Sequence, residues 1–292
     1  MLSAQALRIC ELLVRASEIA LEIYDAPDTE IKADRSVVTK ADKAVEDMLV
    51  KELEDLSAGI HVIGEETSVV KSEEYLQSAL CGKTYIVDPI DGTALYACHI
   101  PLWGTSIGYA ENGKLLEGGI VCPLTGEMMI SDNGVTYYTG CSCIHELKSW
   151  KSRLKPLAPP PGVLDGKSLL GLTQSIARFG IMRERYTVNA SGSTIHAMFA
   201  LATGRYAGLL SYAKLWDYAG SLPCLKNLGF HCVSQNGVNA LDMEINSANY
   251  ALSNDAKVPF LAQDLLCFAP THEIGERLSN MYYFPEGVEE YV

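Results

Sequence analysis

The 292-residue chain has no unbroken apolar segment approaching the roughly 18 residues that a membrane-spanning helix needs. Its first residues, Met1-Leu2-Ser3-Ala4-Gln5, lead into a segment carrying Arg8, Glu11 and Arg15, not the apolar core of a secretion signal. The expected location is therefore the cytoplasm, with no membrane partner. Basic residues are in deficit, 23 Lys and Arg against 36 Asp and Glu, and the formal charge is -13. Polymeric nucleic acid is a poor partner for such a chain, because gripping a phosphate backbone takes a basic face. A small phosphorylated metabolite stays admissible, since bound cations reverse the local charge of an acidic site. Sulfur and imidazole metal motifs are missing too. The nine cysteines include one close pair, Cys141 and Cys143, without a second pair at zinc-finger spacing, and the six histidines are scattered. Free thiols are the plain expectation, with a redox role for Cys141 and Cys143 left open. Internal repeats and long low-complexity stretches are also lacking.

What is present is a chain that is 48% hydrophobic and 20% charged, the balance of a globular fold with a sizeable core. Residues 4–24 predict an amphipathic helix. Thr39-Lys40-Ala41-Asp42 has the form of a capping box and predicts a helix reaching about Leu56. The apolar runs His61-Val62-Ile63 and Tyr85-Ile86-Val87 predict strands, with a helix over 71–80 between them. Four further strands, 104–110, 115–121, 126–130 and 135–138, read as an antiparallel meander turning at Asn112-Gly113 and Asp132-Asn133-Gly134. The stretch 151–162, with Pro159-Pro160-Pro161, is the expected boundary between two lobes of one domain. Beyond it, strands over 168–172, 186–189 and 206–210 alternate with helices over 174–182, 195–202 and 216–228. This mixture predicts a layered α/β or α+β sandwich.

Acids stand at the ends of two successive predicted strands. Glu65-Glu66 follow the first; Asp88 follows the second, with Asp91, Gly92 and Thr93 directly behind. Ligand sites in layered α/β folds gather at such strand ends. A short helix over 94–98 would turn its first amides towards these acids, an arrangement that can hold phosphate. Asp217, after Trp216, and Asp42, further out, complete the set. Clustered carboxylates repel one another unless protons or cations compensate them. Hard cations such as Mg2+ take oxygen ligands, and a pair of them can clamp a phosphate. The plain alternative is a scatter of acids that cap helices, pair with bases or face solvent, and Asp42 is either a cap or a member of the site. Spacing alone leaves both open.

Read in order, Gly64-Glu65-Glu66, Asp88-Pro89-Ile90-Asp91-Gly92-Thr93 and Trp216-Asp217-Tyr218-Ala219-Gly220 resemble the motifs of the inositol monophosphatase family. Lys32 with Val38-Thr39-Lys40-Ala41-Asp42 is similar to its early active-site segment, and Gly192-Ser193-Thr194 to its later substrate-contacting loop. The likeness spans roughly residues 4–245. It implies a layered αβαβα sandwich of the inositol monophosphatase type, one catalytic domain over 1–292. Its metal-binding lobe would be about residues 1–150 and its substrate-contacting lobe about 151–292. It also implies a homodimer and a magnesium-dependent, lithium-sensitive phosphatase with two or three Mg2+ per site.

Carried over by motif, Glu65, Asp88 and the Ile90 carbonyl hold one cation, and Asp88, Asp91 and Asp217 hold the second. Glu65 helps to place a weaker third through waters. The Gly92 and Thr93 amides contact phosphate. Thr93, assisted by Asp42, orients or activates the attacking water, and Glu66 is a water-positioning acid. Asp91, Gly192, Ser193, Thr194 and Asp217 also contact substrate. The implied chemistry is direct in-line attack by metal-activated water. Ser191, Ser193 and Cys98 lack the local base that a covalent nucleophile needs.

The organic half of the substrate is less marked. The family commonly places an acid several residues before its Trp-Asp motif to recognise hydroxyls, but residues 207–215, Ala-Gly-Leu-Leu-Ser-Tyr-Ala-Lys-Leu, contain none. A small polyol or sugar phosphate, inositol monophosphate included, is the first expectation. Gly192-Ser193-Thr194-Ile195 is also similar to phosphoadenosine-phosphate nucleotidases, and Ile100-Pro101-Leu102-Trp103-Gly104-Thr105 to histidinol phosphatases. A noncatalytic metal-binding regulator is a reading of a different class. Ser211 and Lys214 either replace lost polar contacts or face solvent. Tyr212 either stacks on a base or packs inside, and Trp103 either packs near the site or forms a platform.

Overall fold

Ser3 accepts a hydrogen bond from the Ala6 amide and so opens α1 (Ala4–Ile23), whose stripe of Ile9, Leu12, Leu13, Ala16 and Ala20 is buried. The computed structural model describes residues 2–32, 37–68, 71–142, 148–253 and 256–285. A short ribbon, β1 (Thr29–Ile31) with β2 (Val37–Thr39), leads into α2 (Lys40–Leu53). The capping box is formed: the Thr39 hydroxyl accepts from the Ala41 amide and Asp42 accepts from the Thr39 amide. The helix stops at Leu53, short of Leu56, because Glu54 turns to an extended conformation.

The first sheet has seven strands in the order β3 (Ile60–Gly64), β4 (Lys83–Asp91), β5 (Gly104–Glu111), β6 (Lys114–Cys122), β7 (Glu127–Asp132), β8 (Val135–Tyr138) and β9 (Lys155–Pro156). Helix α3 (Glu73–Cys81) makes the crossover that lets β4 run parallel to β3, and the later strands form the predicted meander. Short helices α4 (Thr93–Ala97) and α5 (Trp150–Arg153) follow β4 and precede β9. A second sheet of five strands follows, with β10 (Leu169–Leu172), β12 (Thr187–Asn189), β13 (Gly208–Ser211), β14 (His231–Val233) and β15 (Leu266–Ala269) in the order β12-β10-β13-β15-β14. Helices α6 (Gln174–Phe179), α7 (Thr194–Ala202), α8 (Leu215–Ala219), α9 (Leu222–Asn227) and α10 (His272–Met281) complete the chain, with a small ribbon of β11 (Ile181–Met182) and β16 (Tyr282–Tyr283).

Strand alternation sorts these elements into five layers. On β4, Tyr85 and Val87 point into a core shared with α1 and α2, whereas Ile86 points into a core between the sheets. That middle core holds α7, α8 and α9 through Phe199, Tyr218 and Leu225, and takes Leu209 and Phe268 from the second sheet. Leu210 and Cys267 point the other way, under Ile176 of α6 and Leu278 of α10. The order is αβαβα, as the resemblance implies. Among the described residues no helix is long and apolar enough to cross a membrane.

Three further boundaries differ from expectation. Strand β4 does not end at Val87 but runs to Asp91, with an irregularity in its pairing to β5 between Asp88 and Asp91. Pro89, which has no N–H to give, sits inside that irregularity rather than ending the strand. The helix over 174–182 ends at Phe179, where the Tyr282 hydroxyl fills the space a side chain on Gly180 would need and donates to the Ile176 carbonyl. The helix over 216–228 is broken into α8 and α9, since Pro223 cannot donate back across Gly220-Ser221.

The break lets α8 lie directly on the sheet. A Cβ added to Gly108 would stand 2.7 Å from both the Cβ and the carbonyl oxygen of Ala219, and one on Gly118 would stand 2.7 Å from the Gly220 oxygen. The Ser106 hydroxyl stitches the contact, donating to the Trp216 carbonyl and accepting from the Gly220 amide, both at 3.0 Å. Gly108→Ala is therefore expected to lower unfolding stability by about 1–3 kcal/mol, the cost of overpacking a filled interior. Urea unfolding of the two proteins checks this; an unchanged midpoint would refute the close α8–sheet contact.

Candidate active site

Asp88 lies inside β4, Asp91 at its end, and Asp217 at the third position of α8. The sequence separates them widely, yet each brings a carboxylate oxygen within 4.8 Å of the other two. Asp88 is 0% exposed, and neither of its oxygens has a hydrogen-bond partner. Burial, first, and the neighbouring Glu65, Asp91 and Asp217 charges push its carboxyl well above the ordinary range. Burial likewise raises Asp91 and Asp217. A buried carboxylate left without a donor costs free energy unless something positive meets it. An all-oxygen donor set without Cys or His fits a hard divalent cation such as Mg2+.

Each acid is held from behind. Asp217 accepts the Lys214 amide at 2.7 Å, which closes the first turn of α8. Asp91 accepts from the Ser193 hydroxyl, from the Thr194 amide at 3.2 Å and from the Ile195 amide at 2.8 Å. Ser193 is also the N-cap of α7, accepting from the His196 amide. The beginning of α7 is thereby tied to the end of β4. Gly92 and Gly192, both at positive φ, lie against this junction, and a Cβ on Gly92 would meet Ser193 at 3.1 Å.

Asp42 caps α2 and also faces Thr93. One oxygen accepts the Thr39 amide and hydroxyl at 2.8 and 2.6 Å; the other faces the Thr93 hydroxyl at 3.0 Å. The same hydroxyl lies 3.0 Å from the Ile90 carbonyl, so its single proton serves one acceptor at a time. Burial raises the Asp42 carboxyl to about 6, against the lowering effect of the Thr39 bonds.

Glu65 follows β3 and stands outside the 4.8 Å group, but it lines the same cleft as Asp91 and Asp217. Lys32 reaches it at 3.5 Å and Glu66 at 2.6 Å. That cleft, of about 300 Å³, also takes in Gly192, Ser193 and Thr194, and is closed by Thr173, Gln174, Ser175, Tyr212, Lys214, Trp216 and Leu261. Trp103 lies elsewhere, fully buried against Tyr24 and Tyr96 on the α1 side of the first sheet. Cys98 is an exposed free thiol. Cys141 is also free and exposed, and Cys143 lies outside the described residues.

One residue at the site escapes motif reading. Glu46, 1% exposed, accepts the Glu66 amide at 2.9 Å with one oxygen and the Thr67 amide at 2.8 Å with the other. It fixes the turn that presents Glu65. Burial drives its carboxyl up to about 7. The available signal is its place four residues after Asp42, on the buried stripe of Ala41, Val45, Met48 and Leu49.

The inositol monophosphatase family model matches residues 4–263. Inositol monophosphatase 1 of Solanum lycopersicum is 28% identical over 82% of this chain and 86% of its own length. The 3'(2'),5'-bisphosphate nucleotidase CysQ of Escherichia coli O6:H1 is 23% identical over 77% of this chain and 88% of its own. Among solved structures, the Thermotoga maritima IMPase superposes with a TM-score of 0.68 at 18% identity, covering 97% of both chains. An IMPase/NADP phosphatase complexed with Mg2+ and phosphate superposes at 0.66 with 16% identity over 92% of both. The chain belongs to the inositol monophosphatase family. It is thus a phosphatase, from a family that is magnesium-dependent in general.

Glu46→Gln would set an NH2 group against one of the two amides that the carboxylate now accepts. The expected loss is about 1–3 kcal/mol of unfolding free energy, the cost of an unsatisfied buried donor. Denaturant unfolding monitored by circular dichroism reads it, and wild-type stability in the variant would rule out the clamp.

Proposed function

We propose that the chain hydrolyses the phosphomonoester of a small polyol or sugar, inositol monophosphate among the candidates. The observation that carries this reading is the convergence of Asp88, Asp91 and Asp217, with both Asp88 oxygens lacking a donor, beside the Gly92-Thr93 start of α4. Glu65, Asp88, Asp91, Asp217 and the Ile90 carbonyl would hold two or three Mg2+. Bound there, these ions would offset phosphate charge, lower the pKa of water and stabilise the leaving oxygen.

The chain's own groups do the positioning. The Gly92 and Thr93 amides, at the start of α4, would contact phosphate, as the family resemblance implies. A Thr93 hydroxyl whose proton points to Asp42 Oδ1 turns its lone pairs to the attacking water and orients it in line with phosphorus. Ser193 and the α7 amides keep Asp91 fixed. Lys32 balances Glu65 and Glu66. Strand β4 and the end of β3 thus supply Glu65, Asp88 and Asp91, α8 supplies Asp217, and residues 173–175 and 192–194, from the second half, meet the organic portion of the substrate. Family membership further supports lithium sensitivity, a homodimer and a cytoplasmic location as parts of the proposal.

A bisphosphate nucleotidase is the second reading, favoured by the lack of any acid in residues 207–215. A phosphate-release screen with Mg2+ over inositol phosphates, sugar phosphates, phosphoadenosine phosphate and histidinol phosphate separates the activities. Release that vanishes with chelation and returns with Mg2+ is the expected result. No release from any compound, with the protein folded, would favour a noncatalytic metal-binding regulator. Asp91→Asn is expected to lower kcat at least about a hundredfold, in line with the loss of one charge-stabilising group; wild-type turnover across a Mg2+ titration would remove Asp91 from its assigned role.

A further inference from the structure

We propose that a second cavity, which meets the cleft at Tyr212, binds a small organic cation through a primary ammonium group. This site stands apart from the carboxylate cluster and does not depend on the phosphatase reading.

The cavity, of about 340 Å³, lies at one end of the second sheet, where β13 and β14 finish and β15 begins. Among the described residues, Asp264 is the one charged side chain in its lining. It is half-buried and makes no ion pair with any described residue. Two backbone amides fix it, Asn236 on one oxygen at 2.7 Å and Leu265 on the other at 2.8 Å. A carboxylate accepts at about four lone-pair positions, so both oxygens keep room for a further donor. The neutral groups beside it are acceptors too. Gln235 gives its NH2 to the Ser279 and Tyr282 carbonyls at 3.1 and 3.2 Å, and Gln263 gives its own to the Ser247 carbonyl at 3.2 Å. The side-chain oxygens of both accept nothing among the described residues. An ammonium group, with three donors and no acceptor, complements such a set, and its bond to the carboxylate is charge-assisted.

Much of the remaining wall is aromatic. Tyr212 and Phe284 stand with ring centres 6.2 Å apart and planes tilted by 59°. A cation within about 6 Å of a ring centre is attracted by the ring quadrupole. Tyr283, on the same wall, already shows this contact, since the Arg183 guanidinium lies 4.7 Å from its ring centre. That ring serves the chain's own cation, which leaves Tyr212 and Phe284 for a ligand. Burial, and next the Asp264 charge, raise the Tyr212 hydroxyl, so carboxylate and ring are close enough to share one bound ammonium. Tyr212 is anchored from the cleft side: its amide donates to the Thr173 hydroxyl at 3.0 Å, and its carbonyl accepts from Ser175 at 3.2 Å. The acids of the cleft attract cations as well, so a test must tell the two places apart.

Butylammonium and its neutral counterpart 1-butanol are the probes, titrated against the whole chain with Mg2+ present and followed by NMR of the backbone amides. Butylammonium is expected to bind saturably with a Kd of about 1 mM or tighter, within reach of so small a ligand. The alcohol should bind at least about tenfold more weakly, having no charge to offer Asp264. Asp264→Asn should weaken butylammonium by about 10- to 100-fold, the range of a hydrogen bond to a charged group. Phe284→Leu, which leaves the Asp264 clamp alone, should weaken it by about 2- to 30-fold, the range of a lost cation–ring contact. Asp91→Asn, which changes the cleft only, should leave the affinity as it is. Absence of saturable binding overturns the proposal, and so does equal affinity for ammonium and alcohol. Wild-type affinity in either Asp264→Asn or Phe284→Leu overturns it as well. A loss in Asp91→Asn that Asp264→Asn does not share would place the ammonium in the cleft and refute the second site. Should Asp264→Asn fail to fold, Phe284→Leu and the alcohol comparison decide.

Discussion

Mutual repulsion among Asp88, Asp91 and Asp217 is the constraint around which the fold is arranged. Two like charges about 4 Å apart repel by about 4 kcal/mol even at an effective dielectric near 20, and burial adds to that cost. A protein of ordinary stability, about 5–15 kcal/mol, keeps such a group together only if rigid elements force it and positive charge or protons relieve it. Both conditions are visible. A central strand and a helix pressed onto the sheet hold the carboxylates, and the upward displacement of all three carboxyl groups records their need for compensation. A phosphatase site is arranged in the same way: dication charge that relieves the acids is then available to the phosphate they face.

The rigidity has a specific origin. Asp217 reaches Asp88 because α8 rests on β5 and β6 with no side chain between them at Gly108 and Gly118. Ser106, which pairs with Asp88 across β4 and β5, also bonds both ends of α8 through its hydroxyl. Asp91 is tied by its own oxygens to the start of α7. The acids are therefore structural joints as well as candidate ligands. Packing changes beneath α8 and chemical changes at the carboxylates are coupled, and stability and activity cannot be tuned independently here.

This coupling explains what could be read from the sequence. The capping box at Thr39 and the meander were legible because each follows from local periodicity or turn chemistry, whereas the five-layer order came from the motif resemblance. The close approach of Asp217 to Asp88 was not legible from spacing, since it depends on glycines in distant strands; only the motif resemblance linked the two. The extension of β4 past Val87 was hidden because Pro89 reads as a stop and is instead absorbed at an irregular pairing. The helix over 216–228 looked continuous because its apolar positions keep helical spacing across the Gly220-Ser221 break. Glu46 was missed for a related reason: its partners are backbone amides after β3, and backbone donors leave no mark on residue identity.

The two ends of the cleft differ in how tightly chemistry fixes their residues. At the phosphate end, cation ligation admits few side chains, and those few must meet within a few ångströms, so the pattern stays readable. At the organic end, a hydroxyl, a carboxylate or a base edge can each be met by many side chains on residues 173–175 and 212–214. Family likeness therefore specifies reaction class more firmly than substrate.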